Sequence, residues 1–272
     1  MLESIDSTIR TTGRRAIHRW SRLRRPLLVG RDLWARGYVA ARSAWNDLRF
    51  EAPIDPYRIL RVDPGRIERV PRVFPGPKYR YAGAVAGGDW DRTDRRFADL
   101  DVCRAYERHF EEGAPWQDTE FYDRVTAEIA NGEVRWDCST REEFDRRCER
   151  LDRLYERIRD HGVLSQAELA RSGIDDPIGG RQRLKTERFK HEITIHVGRE
   201  GELLFADGRN RLAIAKVLDL DEVPVRVLVR HRDWQATRDD YVSASVTDPE
   251  LDDHPDVTYL SPAGDRPVAT DG

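Results

Sequence analysis

The chain has 272 residues, of which 39% are hydrophobic and 36% charged, and its net charge at pH 7 is −3. This length suits one large domain with an insertion and tails, and no apolar stretch reaches the roughly 20 residues of a transmembrane helix. The three cysteines lack metal-ligand spacing and no secretory apolar segment is present. We therefore expect a cytoplasmic protein, without a metal site built from its own side chains.

The first part of the chain is strongly basic. Residues 1–50 contain 11 arginines and four acidic residues, with Trp34 and Trp45 among them. This pattern predicts an amphipathic helical extension over residues 1–51. Two interpretations stay open: residues 10–49 bind an anionic membrane surface or an acidic partner, or the helix packs on the body of the protein through Trp34 and Trp45. Nucleic acid is the least favoured partner.

A region rich in proline and glycine follows, and residues 57–62 alternate as a strand does. Residues 87–91 read Gly-Gly-Asp-Trp-Asp, which places the carboxylates of Asp89 and Asp91 in a glycine loop. This loop either serves a catalytic site or is a capped turn before a helix. Aromatic residues at helical spacing then predict a helical insertion over residues 92–135, and a longer helix follows from about Arg141.

The most informative stretch is residues 202–218. An apolar run predicts a strand, Asp207 and Gly208 predict a sharp turn, and good helix formers follow from Arg209. A helix that begins in this way directs unpaired backbone N–H groups and the positive end of its dipole towards the space above the turn. With Arg211 two residues further on, the pattern favours a phosphate site. The alternative is that both arginines are solvated or paired with surface carboxylates.

The order of the flanking elements adds to this interpretation. Residues 162–166 read Gly-Val-Leu-Ser-Gln after a helix, residues 192–197 alternate as a half-buried strand, and residues 221–229 have valine at every other position. From about residue 141 to residue 232 this order, with the Asp-Gly-Arg-Asn-Arg turn, resembles the ParB/sulfiredoxin superfamily. The resemblance implies a mixed α/β nucleotide-binding domain over residues 52–237, with its four predicted strands in one sheet.

In that superfamily the matching turn binds nucleotide phosphates. The resemblance therefore implies that Asp207, Gly208, Arg209, Asn210 and Arg211 bind ATP, ADP or CTP with Mg²⁺, and that Arg211, which matches the motif, contributes most. Free-serine kinases of this fold carry an acidic base. By the same resemblance, Asp89 or Asp91 would deprotonate the hydroxyl group of a small acceptor, whose identity the sequence does not reveal.

Three departures from the superfamily limit the function. Arg209 replaces the cysteine that sulfiredoxins need, and Asn210 replaces the histidine of the kinase pattern, so no proton carrier lies in the turn. No helix-turn-helix domain follows, which argues against DNA segregation. Two hypotheses remain: a nucleotide-dependent phosphotransferase, and a non-catalytic nucleotide-responsive module. Nuclease activity is less favoured.

The end of the chain is acidic and proline-containing. Residues 247–272 contain few apolar side chains, so we expect residues 238–272 to be a largely disordered tail, and removal of residues 247–272 to cost little stability.

Overall fold

A five-stranded mixed sheet lies at the centre of the computed structural model, which describes residues 24–71, 78–178, 191–243 and 249–260. The strands are β1 (Leu60–Val62), β2 (Ala84–Ala86), β3 (Ile193–Val197), β4 (Leu203–Asp207) and β5 (Val223–His231). The helices are α1 (Arg24–Asp47), α2 (Asp101–Tyr106), α3 (Glu120–Ala130), α4 (Arg141–His161), α5 (Gln166–Ser172), α6 (Arg209–Val217), α7 (Arg232–Val242) and the short α8 (Pro249–Asp252). A π-helical turn, Glu107–Glu111, continues α2.

The longest strand, β5, organises the sheet. It pairs antiparallel with β1 along its first part, parallel with β2 along its last part, and parallel with β3 on its other side. The hairpin partner of β3 is β4, at the edge. Eight of the nine β5 residues are buried, as the valine-rich sequence predicts for a central strand. The prediction that four strands share one sheet is confirmed, and β2 was not predicted.

One side of the sheet carries the main core. Residues 92–135 are largely helical, as predicted, but they are not a separate unit, because the ring of Phe97 packs edge-on against Phe205 of β4 at 4.7 Å between centroids. The long helix α4 begins at the cap Thr140, whose hydroxyl accepts the Glu143 amide, and its apolar side joins the same core. The insertion therefore helps to bury α6 and the sheet.

The other side of the sheet is covered by α1. Val39 is buried in a second cluster with Tyr79 and with Leu228 and Val229 of β5. The predicted packing through Trp34 and Trp45 is wrong, since these side chains are 57% and 61% exposed. They lie on the opposite side of the helix from Val39. Residues 1–23, which include the start of the predicted basic surface at residue 10, lie outside the described residues.

The prediction of a largely disordered tail is wrong for residues 238–242 and 249–260, which are folded. Residues 238–242 complete α7, and residues 249–260 pack against the body with Val257 fully buried. Asp256, also fully buried, accepts hydrogen bonds from Arg230 at 2.8 and 2.5 Å and lies 3.4 Å from the guanidinium of Arg238. Composition did not reveal this docking, because it depends on a single carboxylate that contacts two arginines from distant parts of the chain. Residues 261–272 lie outside the described part.

None of the helices in the described ranges combines the length and the apolar character that crossing a membrane requires.

Candidate anion-binding site

The predicted strand-turn-helix is present at residues 203–217. β4 ends at Asp207, Gly208 has φ +89°, and α6 begins at Arg209 without a side-chain cap. A Cβ atom at position 208 would lie 2.8 Å from the Cα atom of Ile193, so the backbone of the turn packs closely against the first residue of β3. Glycine is needed here both for the positive φ and for this close approach. The first N–H groups of α6 are consequently not capped by their own turn.

The two arginines of the turn have different environments. Arg209 is exposed, with its guanidinium 5.3 Å from the centre of the Trp136 ring. Arg211 is only 7% exposed and forms an ion pair with Asp176, which is 5% exposed. The alternative of carboxylate pairing is thus correct for Arg211, although its partner is a buried residue and not a surface one. The Nε atom of Arg211 and the Oδ1 atom of Asn210 are buried without a hydrogen-bond partner.

A third arginine, which sequence reasoning missed, lies beside this pair. Arg157, near the end of α4, is 8% exposed, and none of its three guanidinium nitrogens has a hydrogen-bond partner among the described residues. Burial lowers the pKa of Arg157; Asp176 opposes that shift and Arg211 adds to it. The only sequence signal is its position, three residues after Leu154 and directly before Ile158, both fully buried. A buried guanidinium without a partner is costly, so this arrangement suits an anion.

A second buried ion pair lies near this group. Glu192, 2% exposed, lies 3.5 Å from the guanidinium of Arg226 and accepts the backbone N–H of Gln166 at 3.1 Å. Burial raises the pKa of Glu192, while Arg226 and Arg211 act against that shift.

The predicted catalytic carboxylates are held by another arginine. Asp91 accepts the backbone N–H of Arg199 at 3.0 Å and its guanidinium at 2.8 Å, and Asp89 accepts the same guanidinium at 2.8 Å. Burial by itself would raise the pKa of Asp91, but the hydrogen bonds from Arg199 outweigh burial and lower it to about 2. A carboxylate with so low a pKa is a weak base.

These carboxylates do not lie at the turn. Asp91 lies against Gly198, directly after β3, whereas Gly208 lies against Ile193, the first residue of β3. Five residues of extended chain separate the two points by about 17 Å. The prediction that residues 87–91 return to the phosphate turn is therefore wrong. The reason is strand direction: β2 and β3 both run parallel to β5, whereas β4 runs antiparallel to β3.

Comparison with protein-family models, with curated proteins and with solved structures gives no match. Among the described residues there is also no group of three or more histidine, cysteine, aspartate or glutamate side chains that could hold a metal ion. The assignment of the site consequently depends on the geometry around Arg157, Arg211 and the start of α6.

Proposed function

We propose that the protein binds a phosphate-bearing ligand, and specifically a nucleotide, at the start of α6. The observation that carries this proposal is the guanidinium of Arg157, which is buried and without a hydrogen-bond partner beside the ion pair of Arg211 and Asp176. Phosphate oxygens would accept from Arg157, from the free Nε of Arg211 and from the first N–H groups of α6.

A nucleotide fits this site better than a bare anion for two reasons. The Oδ1 atom of Asn210 is buried without a donor, and a ribose hydroxyl or a base amino group could supply one. The turn also has the Asp-Gly-Arg-Asn-Arg sequence that resembles the nucleotide-binding turn of the ParB/sulfiredoxin superfamily. ATP, ADP and CTP are the candidates, and Mg²⁺ would arrive with their phosphates.

Of the two functional hypotheses, we favour the non-catalytic nucleotide-responsive module. A phosphotransferase needs a base close to the phosphates, and its predicted bases, Asp89 and Asp91, lie about 17 Å away along β3. Asp91 is in addition engaged by Arg199 and has a pKa of about 2. The carboxylates of Asp176 and Glu192, which lie beside the turn, are engaged by Arg211 and Arg226.

Calorimetry of the full chain with ATP, ADP, CTP and inorganic phosphate, each with and without Mg²⁺, tests the proposal. Removal of one charge-assisted phosphate contact in Arg157→Met should weaken nucleotide binding by about 1.5–3 kcal/mol, or roughly ten- to a hundredfold. The same variant should be at least as stable as the wild type without ligand, because it removes a buried charge that has no partner. The matched control is Arg153→Met, an exposed arginine one turn earlier on α4.

The two measurements together separate binding from folding. Weaker nucleotide binding by Arg157→Met, without a loss of its stability relative to the wild type, supports the site. A wild type that binds none of these ligands at millimolar concentration contradicts it. Equal affinity of Arg157→Met and the wild type would also contradict it. A parallel assay for nucleotide consumption with added hydroxyl compounds distinguishes the module from the phosphotransferase.

A further inference from the structure

From Val29 to Leu48, the side of α1 that faces away from the sheet is mostly apolar. Val29, Leu33, Trp34, Trp45 and Leu48 are between 47% and 84% exposed and lie on this side, which we call the outer face of α1. Between them lie exposed glycines and alanines, and the exposed Asp47 lies at the edge of the face, one turn or more from the tryptophans. A Cβ atom at Gly30 or Gly37 would meet nothing within 4 Å. In the described structure this face is therefore open.

The segment that contains α1 differs in charge from the rest of the chain. Residues 24–50 contain six arginines and two aspartates, a local charge of +4, while the chain as a whole has −3, so the remaining residues carry −7. Arg36 and Arg49 are both exposed; Arg36 lies within α1 and Arg49 lies two residues after its end. An anionic surface would attract this positive segment.

We propose that the outer face of α1 docks the protein on an anionic lipid membrane surface. Apolar side chains along one side, with tryptophans among them and arginines flanking them, are the arrangement of a helix that lies in the plane of the interface. Trp34 and Trp45 enter the headgroup region, and Arg36 and Arg49 contact lipid phosphates. This contact is independent of the nucleotide site.

The dimensions of the face distinguish a membrane from a second copy of the chain. From Val29 to Leu48 the face is about 30 Å long and about 10 Å wide, or roughly 300 Å². A standard protein interface needs about 800 Å² from each partner. The face is thus too small to hold two copies together by itself, whereas a membrane surface adds the attraction of its negative charge to the arginines.

The test is sedimentation of the full chain with phosphatidylcholine vesicles and with vesicles that contain roughly one third phosphatidylserine, at about 0.1 M and about 1 M salt. We expect binding to the anionic vesicles at low salt only. The double variant Trp34→Ala with Trp45→Ala should bind at least about tenfold more weakly, because it removes two exposed apolar side chains. Arg36→Gln with Arg49→Gln should have an effect of about the same size.

Matched controls use exposed residues elsewhere. Val134→Ala removes an exposed apolar side chain outside α1, and Arg92→Gln with Arg159→Gln removes two exposed charges; neither should change vesicle binding. Melting curves show that each variant is folded. The proposal is overturned if the wild type does not sediment with anionic vesicles, if binding is the same for both vesicle types, or if the tryptophan variant binds as the wild type does. A dimer that the tryptophan variant dissociates would assign the face to a second copy.

Discussion

Four arginines in the described part of the chain are more than nine-tenths buried, and they differ in how their charge is balanced. Arg211 forms an ion pair with Asp176, and Arg230 and Arg238 both form ion pairs with Asp256. Arg157 alone among these four has no hydrogen-bond partner on its guanidinium. Because the fold supplies a carboxylate to every other member of the set, a bound anion is the simplest counter-charge for Arg157.

The contacts of His109, in the π-helical turn, lead us to expect that the stability of the protein depends on pH. Its Nε2 atom lies 3.1 Å from a carboxylate oxygen of Asp152 and its Nδ1 atom lies 2.6 Å from the carbonyl oxygen of Ala114, so both ring nitrogens face acceptors. Burial works to lower the pKa of His109, but these two contacts prevail and raise it. A raised folded-state pKa gives stability that is complete below the unfolded value and is lost as pH rises through the folded value.

We therefore expect His109→Gln to lower the free energy of unfolding more at about pH 5.5 than at about pH 8.5. Urea unfolding of the wild type and the variant at both pH values measures this difference. Other titrating groups are common to the two proteins and cancel in the comparison. A loss of stability that is equal at the two pH values would show that His109 is not a cation in the folded protein.

At the scale of the element, the turn between β4 and α6 depends on Gly208. Gly208→Ala should destabilise the protein by about 1–3 kcal/mol, because alanine disfavours a φ of +89° and its Cβ would lie 2.8 Å from the Ile193 Cα atom. Gly132→Ala is the matched control: that glycine has φ +85° with nothing within 4 Å. Denaturant unfolding should show a larger loss of the free energy of unfolding for Gly208→Ala than for Gly132→Ala. Equal losses would mean that the close approach to β3 is not a constraint.

At the scale of the whole molecule, the docked segment of residues 249–260 predicts the effect of truncation. Deletion of residues 247–272 removes Asp256 and leaves Arg230 and Arg238 buried without their counter-charge. Breaking a buried pair in this way costs about 3–5 kcal/mol. The melting temperature should therefore fall by more than about 6 °C.

The control for this experiment is deletion of residues 261–272 only, which keeps every contact of Asp256 and Val257 described above. If the longer deletion melts at the same temperature as the shorter one, residues 249–260 do not stabilise the fold. That result would restore the interpretation of residues 247–272 as a tail that can be removed at little cost.

The elements that the sequence determined by itself are those with a strong local signal. The alternating valines of β5, the cap at Thr140, and Gly208 between an apolar run and a helix each specify backbone conformation within a few residues. Local conformation therefore followed from local sequence. For the same reason, the strand-turn-helix with Arg209 and Arg211 could be placed before its surroundings were known.

Only the tertiary structure decided which charges meet. Asp89 and Asp91 lie at the far end of β3 from Gly208 because of the directions in which β2, β3 and β4 run, which no local pattern encodes. Arg157 is buried beside Arg211, and Asp256 pairs with one arginine from β5 and one from α7, through contacts between residues distant in sequence. Burial and pairing are properties of three-dimensional packing, and they determine whether a charged residue is solvated, structural or free to bind a ligand.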